Sequence, residues 1–374
     1  MAAGSSLQTD EQGDLHPRLS TRLLGHEEAE AVLLRAYSSG RLPHAWMFTG
    51  PKGVGKATLA YRFARFLLHE TTSEPDIFGG MMPEENLEPA EGLGTLADSA
   101  INHRITAGGH GDLVVLERSP DDKGKMRSVI PVDDVRKIVD FSHKTSAEGG
   151  WRVVIVDSLD DMNVNAVNAL LKVLEEPPEK TVLLLVCHNP GAVLQTIHSR
   201  CCHLALQSLE TDLVAEMLGG FVEDIDSVDA EVLAALSEGA PGKALRLWET
   251  GGLDLYRSMI DLVQRLPALD TAALYAFADL LASPARPEAF RTGMELYLWW
   301  IGRVINMQAS GRDLHPILEG ELELMRAVGQ RSSLEDWLKL WDKTSELTTK
   351  AERINLDKKQ IVLTALADLK ALVS

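Results

Sequence analysis

Hydrophobic positions along the chain follow two different rhythms, and the change between them falls near residue 207. From Leu24 onward, short apolar runs alternate with stretches of helical period. Gly25-His26-Glu27-Glu28 opens a segment in which Ala29, Val32, Leu33 and Ala36 recur three and four apart, which predicts a helix ending near Gly40. Ala45-Trp46-Met47-Phe48 predicts a strand, residues 50–55 a glycine loop, and Leu59, Phe63, Phe66 and Leu67 a second helix. Residues 113–116, 153–156 and 182–186 are uninterrupted apolar runs, too short for helices and without polar alternation, as expected of strands buried on both faces of a parallel sheet. One helix is predicted from near Asp133, and another over 164–175 that Pro177-Pro178 stops. Strands alternating with helices predict a doubly wound α/β domain with right-handed crossovers.

Beyond Glu210 only the helical period remains. Val214, Met217, Leu218 and Val222, then Val232, Leu233 and Leu236, mark a small helical domain over 208–250. Residues 251–374 read as a separate all-α domain, which holds four of the seven tryptophans at Trp299, Trp300, Trp337 and Trp341. Residues 1–15 lack periodicity and read as a frayed terminus. Residues 70–112 are acidic, rich in Gly, Pro and Met, and read as an unpatterned insertion within the first domain, 1–207.

Composition narrows the functional classes. A chain of 374 residues exceeds what one core usually supports, and 45% hydrophobic with 25% charged residues leaves little room for extensive disorder. The net charge of -18 opposes a phosphate backbone, so any work on DNA is expected to run through partners or a small basic surface. Three cysteines, two of them adjacent at Cys201 and Cys202, make a poor disulfide framework and suit a reducing cytoplasm. Charges interrupt every apolar run before the ~20 residues of a membrane span, and no apolar leader follows Met1. A soluble cytoplasmic protein without a membrane partner is expected.

Gly50-Pro51-Lys52-Gly53-Val54-Gly55-Lys56 lies between a predicted strand and a predicted helix, the setting of a P-loop. Its glycines let backbone N–H groups turn toward a polyphosphate, the helix N-terminus adds a positive dipole end, and Lys56 supplies a mobile charge. The hydroxyl that usually follows the lysine and ligates Mg²⁺ is replaced by Ala57; Thr58, one position on, lies about 100° further round the helix. Asp157, ending the run 153–156, has the form of a Walker B carboxylate, although any parallel strand can end in Asp. Ser158 stands where a hydrolysing ring ATPase places a glutamate. Gly50, Gly53, Gly55, Lys56, Thr58 and Asp157 are the candidate nucleotide-binding residues. Asp160 and Asp161 read as helix-capping acids.

Residues 168–178 (Asn-Ala-Leu-Leu-Lys-Val-Leu-Glu-Glu-Pro-Pro) are followed by a strand and by Ser199-Arg200-Cys201. With Gly25-His26-Glu27, residues 41–45, the glycine loop and Gly239-Ala240-Pro241-Gly242, this order resembles the clamp-loader subunits of the AAA+ class over roughly residues 17–250. The stretch 353–359 is similar to the C-terminal collar of the stationary subunit of the bacterial ring. The resemblance implies a hetero-pentamer with gamma/tau and delta subunits of DNA polymerase III, acting on a sliding clamp and primed DNA. It also implies that Arg200 is an arginine finger serving a neighbouring ATPase site, the alternative being a surface arginine bonded to helix carbonyls.

Departures from the family pattern point to weak chemistry in the chain's own site. Besides Ala57 and Ser158, the lid arginine of active members is replaced by Gly242, with Lys243 beside it. The sensor position falls near Cys187-His188-Asn189, where His188 is expected to be a satisfied polar group. ATP binding is expected to be weak and Mg²⁺ handling impaired. No zinc is expected, because 70–112 contains no cysteine and His103 and His110 lack ligand spacing. An autonomous ATPase that remodels nucleic acid or protein, and a small-molecule P-loop kinase, are the competing readings.

Overall fold

The computed structural model describes residues 16–20, 22–72, 93–94, 99–121, 124, 126–127, 129–142, 146, 149–266, 268, 271–354 and 356–374. The chain forms two compact units, Met1–Leu209 and Glu210–Ser374.

In the first unit the element order is α1 (Glu27–Ser38), β1 (Ala45–Thr49), α2 (Lys56–Thr72), α3 (Ala100–Thr106), β2 (Leu113–Glu117), α4 (Val132–Ser142), β3 (Arg152–Asp157), α5 (Val164–Glu175), β4 (Thr181–Cys187), α6 (Gln195–His198) and β5 (Cys202–Ala205). The strands form one sheet in the order β2-β3-β4-β1-β5, with every pair parallel. Successive side chains of a strand point to opposite faces, and both faces are covered. Trp46, Phe48, Val153, Ile155, Val182 and Leu184 pack with α1, α2 and α3, whereas Met47, Val154, Val156, Leu183 and Leu185 pack with α4, α5 and α6. The central strands are therefore apolar at consecutive positions rather than alternating, as the sequence pattern predicts. The carboxyl ends of β1, β3 and β4 lie side by side in register, Thr49 beside Cys187 and Asp157 beside Val186, which places the loops that follow them around one crevice.

The insertion expected over 70–112 is not wholly unpatterned. Much of it lies outside the described residues, but Leu93 and α3 do not. Ser99 caps α3 by accepting the Asn102 N–H, and Leu93, Ile101 and Ile105 are buried in the core beneath α2. This end of the stretch thus adds to the core, contrary to the sequence expectation, because Ile101 and Ile105 share one face at a spacing of four.

The second unit is helical in its described residues: α7 (Thr211–Phe221), α8 (Ser227–Ser237), α9 (Pro241–Glu249), α10 (Gly252–Gln264), α11 (Thr271–Leu281), α12 (Ala289–Ser310), α13 (Glu321–Gly329), α14 (Leu334–Ile354) and α15 (Lys358–Val373). Trp300 on α12 and Trp337 on α14 are fully buried and meet edge to face with centroids 6.5 Å apart. The buried carboxylate of Glu321 is matched by the Tyr256 hydroxyl at 2.5 Å and by the N–H groups of Ile317 and Leu318 at 2.7 and 3.1 Å. Among the described residues, no helix is long and apolar enough to cross a membrane.

Candidate functional site

The glycine loop joins β1 to α2 in a conformation that side chains resist. Gly50 and Gly55 have φ of +137° and +113°, in the region that glycine alone populates freely. A Cβ on Gly50 would lie 2.3 Å from the Leu206 carbonyl oxygen, and one on Gly55 would lie 2.9 Å from Leu23 Cδ1. The loop is also held from behind. His26, buried at the start of α1, donates its Nε2–H to the Val54 carbonyl at 2.8 Å, since a carbonyl can only accept.

Lys56 is buried at the first position of α2, and its ammonium donates to the carbonyls of Gly50 and Pro51 at 2.7 and 2.6 Å. Burial pushes its pKa down to about 8, against the opposing pull of the Asp157 and Asp160 carboxylates. Thr58 sits half-buried in the same first turn.

Asp157 ends β3 beside Glu117, the last residue of β2. Burial, and then the Glu117 charge, push the Asp157 carboxyl up to about 6. Glu117 was not among the sequence candidates, although the rule that selected Asp157, a carboxylate closing a buried parallel strand, applies equally to it. Ser158 is buried with its hydroxyl 3.4 Å from Asp161 Oδ2.

Asp160 and Asp161 do not serve as helix caps. Asp160 instead accepts the backbone N–H groups of His188 and Asn189 at 2.6 and 2.7 Å, tying the turn after β3 to the end of β4, and Asp161 pairs with Arg118 at 3.3 Å. His188 differs from expectation as well. Its Nδ1 is buried without a hydrogen-bond partner among the described residues, and burial together with the Lys56 charge pushes the imidazole down to about 4, so it is neutral at pH 7. The chain therefore brings the candidates Gly50, Gly53, Gly55, Lys56, Thr58 and Asp157 to one crevice, with Asp160 and His188 added.

Arg200 stands apart from that group, on the turn after α6. Its Nη2 pairs with Glu175 Oε1 at 2.9 Å, and its Nη1 donates to the Thr196 carbonyl at 2.8 Å. In the second unit, Lys243 lies 3.6 Å from Glu238 and over the Trp299 ring. His110, placed by sequence in the insertion, is buried and accepts the Asp112 N–H at Nδ1. Among the described residues, no group of three or more His, Cys, Asp or Glu side chains is arranged to hold a metal.

The chemistry of the crevice is uneven. The cradle of glycine backbone, the helix N-terminus and Lys56 fit a polyphosphate. The donor set for Mg²⁺ is incomplete, because Ala57 carries no hydroxyl at the first turn of α2.

Residues 91–210 match the family model described as DNA polymerase III, delta subunit. A DNA polymerase III subunit delta' of Pseudomonas aeruginosa is 36% identical over 230 residues, 62% of this chain and 63% of the relative. The subunit delta' of Yersinia pestis is 33% identical over 219 residues, 58% of each chain. The subunit tau of Escherichia coli is 27% identical over 235 residues, 62% of this chain and 32% of that one. The match thus spans about 60% of the length of the two delta' relatives. Among solved structures, a DNA polymerase III gamma subunit-related protein of Thermotoga maritima is similar with a TM-score of 0.40 and 17% identity, covering 93% of this chain and 100% of that one.

Proposed function

We propose that this chain, a relative of the delta' and gamma/tau subunits of DNA polymerase III, works as a delta'-type subunit of the clamp loader, helping to place the sliding clamp on primed DNA. On this reading it stands in a hetero-pentamer with gamma/tau and delta subunits in the cytoplasm. Residues 208–250 act as the lid and 251–374 as the collar that holds the ring together. Its own crevice binds ATP weakly and turns it over slowly, if at all. The bound nucleotide would supply only phosphate charge to be held by the loop N–H groups and by Lys56, once its ammonium leaves the carbonyls of Gly50 and Pro51.

The observation that carries the proposal is the division of labour among charged residues. Lys56 and Asp157 share one crevice that lacks a metal-binding hydroxyl at Ala57 and a water-activating carboxylate at Ser158, whereas Arg200 lies on the turn after α6, bonded to Glu175 and the Thr196 carbonyl with its side chain one-third exposed. A planar, always-charged fork suits the charge that develops on a γ-phosphate held by another subunit. The reading of the chain as an autonomous ATPase is disfavoured by the same two positions.

Two measurements test the proposal. The isolated chain should release phosphate from ATP barely above background, and robust turnover abolished by Lys56→Ala would sink the degenerate-site reading. Arg200→Ala should fold, melt as the unmodified chain does and join its partners, while the reconstituted complex loses clamp- and DNA-stimulated ATPase by a large factor, on the order of 10³. Arg200→Lys should rescue poorly, because a point charge does not reproduce the fork. Full activity of the Arg200→Ala complex would show that the arginine is no finger.

A further inference from the structure

Arg200 is not left to find its own direction. Its Nη2 is bonded to Glu175 at 2.9 Å, and its Nη1 to the Thr196 carbonyl at 2.8 Å, with Ser199 Oγ at 3.4 Å. These anchors sit on two separately fixed elements. Glu175 is the last residue of α5, whose opposite face, Ala166, Leu170, Val173 and Leu174, is buried under the sheet. Thr196 and Ser199 belong to α6 and its cap, pinned by the fully buried Ile197. The guanidinium is thereby held from two sides, Nη2 by α5 and Nη1 by α6.

Two features argue that Glu175 is there for this purpose rather than for the fold. The pair is half exposed, 34% for Arg200 and 51% for Glu175, and such pairs contribute little to stability. An acidic residue in the last turn of a helix also runs against the helix dipole, which favours a cation there. A residue that breaks a local preference without a folding gain is the kind that function retains.

We infer that Glu175 is a positioning residue for Arg200, presetting the fork in the direction of a neighbouring subunit's phosphate. The inference rests on the reading of Arg200 as a finger acting in trans. Holding a charged fork within about 1 Å of its working place is worth up to ~10²-fold in rate, and the Thr196 carbonyl retains part of that restraint.

The test uses full-length Glu175→Ala, Glu175→Gln, Arg200→Ala and the double variant Glu175→Ala/Arg200→Ala, each reconstituted with gamma and delta subunits, clamp and primed DNA. Glu175→Ala should assemble and melt like the unmodified chain, lower kcat for ATP about tenfold, and change KM by less than about twofold. Glu175→Gln should recover most of the rate, because its amide oxygen still accepts from Nη2. The double variant should be no slower than Arg200→Ala alone, since both act through one group. An unchanged or raised kcat in Glu175→Ala, beside a collapsed Arg200→Ala, overturns the positioning role and leaves the finger standing. Loss of assembly by Glu175→Ala also overturns it, in favour of a structural part. If Arg200→Ala itself keeps full turnover, the finger reading fails and the inference fails with it.

Discussion

Replacing Gly50 by alanine should damage the protein whether or not it ever meets a nucleotide. The new Cβ would stand 2.3 Å from the Leu206 carbonyl oxygen, which belongs to backbone and cannot swing aside. Leu206 is itself fixed, because its N–H donates to the Thr49 carbonyl at 2.8 Å and continues the pairing of β1 with β5. The clash must therefore be relieved by moving the loop away from β5 by about 1 Å. The backbone at φ +137° adds its own resistance. Conformational strain of about 1–3 kcal/mol and overpacking of about 1–3 kcal/mol combine to about 4 kcal/mol. Gly40, at φ +68° with nothing within 4 Å of where a Cβ would stand, offers the control: the left-handed region costs alanine only about 1–2 kcal/mol. Urea titration of the full chain should show Gly50→Ala losing far more stability than Gly40→Ala, and amide exchange at Leu206 should accelerate in Gly50→Ala alone. Equal losses in the two variants, or an unchanged Leu206 amide, would refute the packing argument and return the glycine to phosphate binding as its chief reason.

The other expected outcomes follow from single contacts. Asp157 has its carboxyl raised from 3.8 to about 6, so its contribution to stability is full below about pH 4 and is lost as pH rises through about 6. Asp157→Asn should accordingly stabilise the chain at pH 7.5 by about 1–2 kcal/mol, after discounting for its partial exposure, and flatten stability between pH 4 and 6. Destabilisation at pH 7.5 would reverse that sign. Asp160→Ala removes the acceptor for two backbone N–H groups at the end of β4, and denaturant titration should show a loss of about 1–2 kcal/mol. Trp337→Ala, which empties the fully buried partner of Trp300, should cost about 4 kcal/mol; a loss under about 1 kcal/mol by the same titration would mean that α12 and α14 do not depend on that contact.

Much of the first unit is legible in the sequence because its central strands are buried on both faces. The apolar runs at 113–116, 153–156 and 182–186 lie within the observed strands, and the helix expected over 164–175 has those limits. The same logic explains why β5 escapes. Cys202-His203-Leu204-Ala205 is an edge strand with only Leu204 facing the core, so neither a continuous run nor a long alternation marks it. Helix α3 escapes because its two core residues sit in an otherwise polar stretch, and α6 because one short turn carries no period.

At the candidate site the limit is different in kind. The glycine loop, Lys56 and Asp157 are visible as residue types at fixed spacing. The Asp160 bonds to residues 188 and 189, the His26 bond to Val54 and the Glu175 grip on Arg200 join positions with no common motif. Sequence spacing does not encode such partners; the packing of helices and loops around one parallel sheet creates them. Gly50 shows why this matters for inferring function. Its identity satisfies a phosphate-binding motif and a packing constraint against Leu206 at once, so its presence alone does not separate a working nucleotide site from an inherited shape. Ala57 and Ser158 bear on that choice more directly, because neither supplies the hydroxyl or the carboxylate that a metal and an attacking water would need.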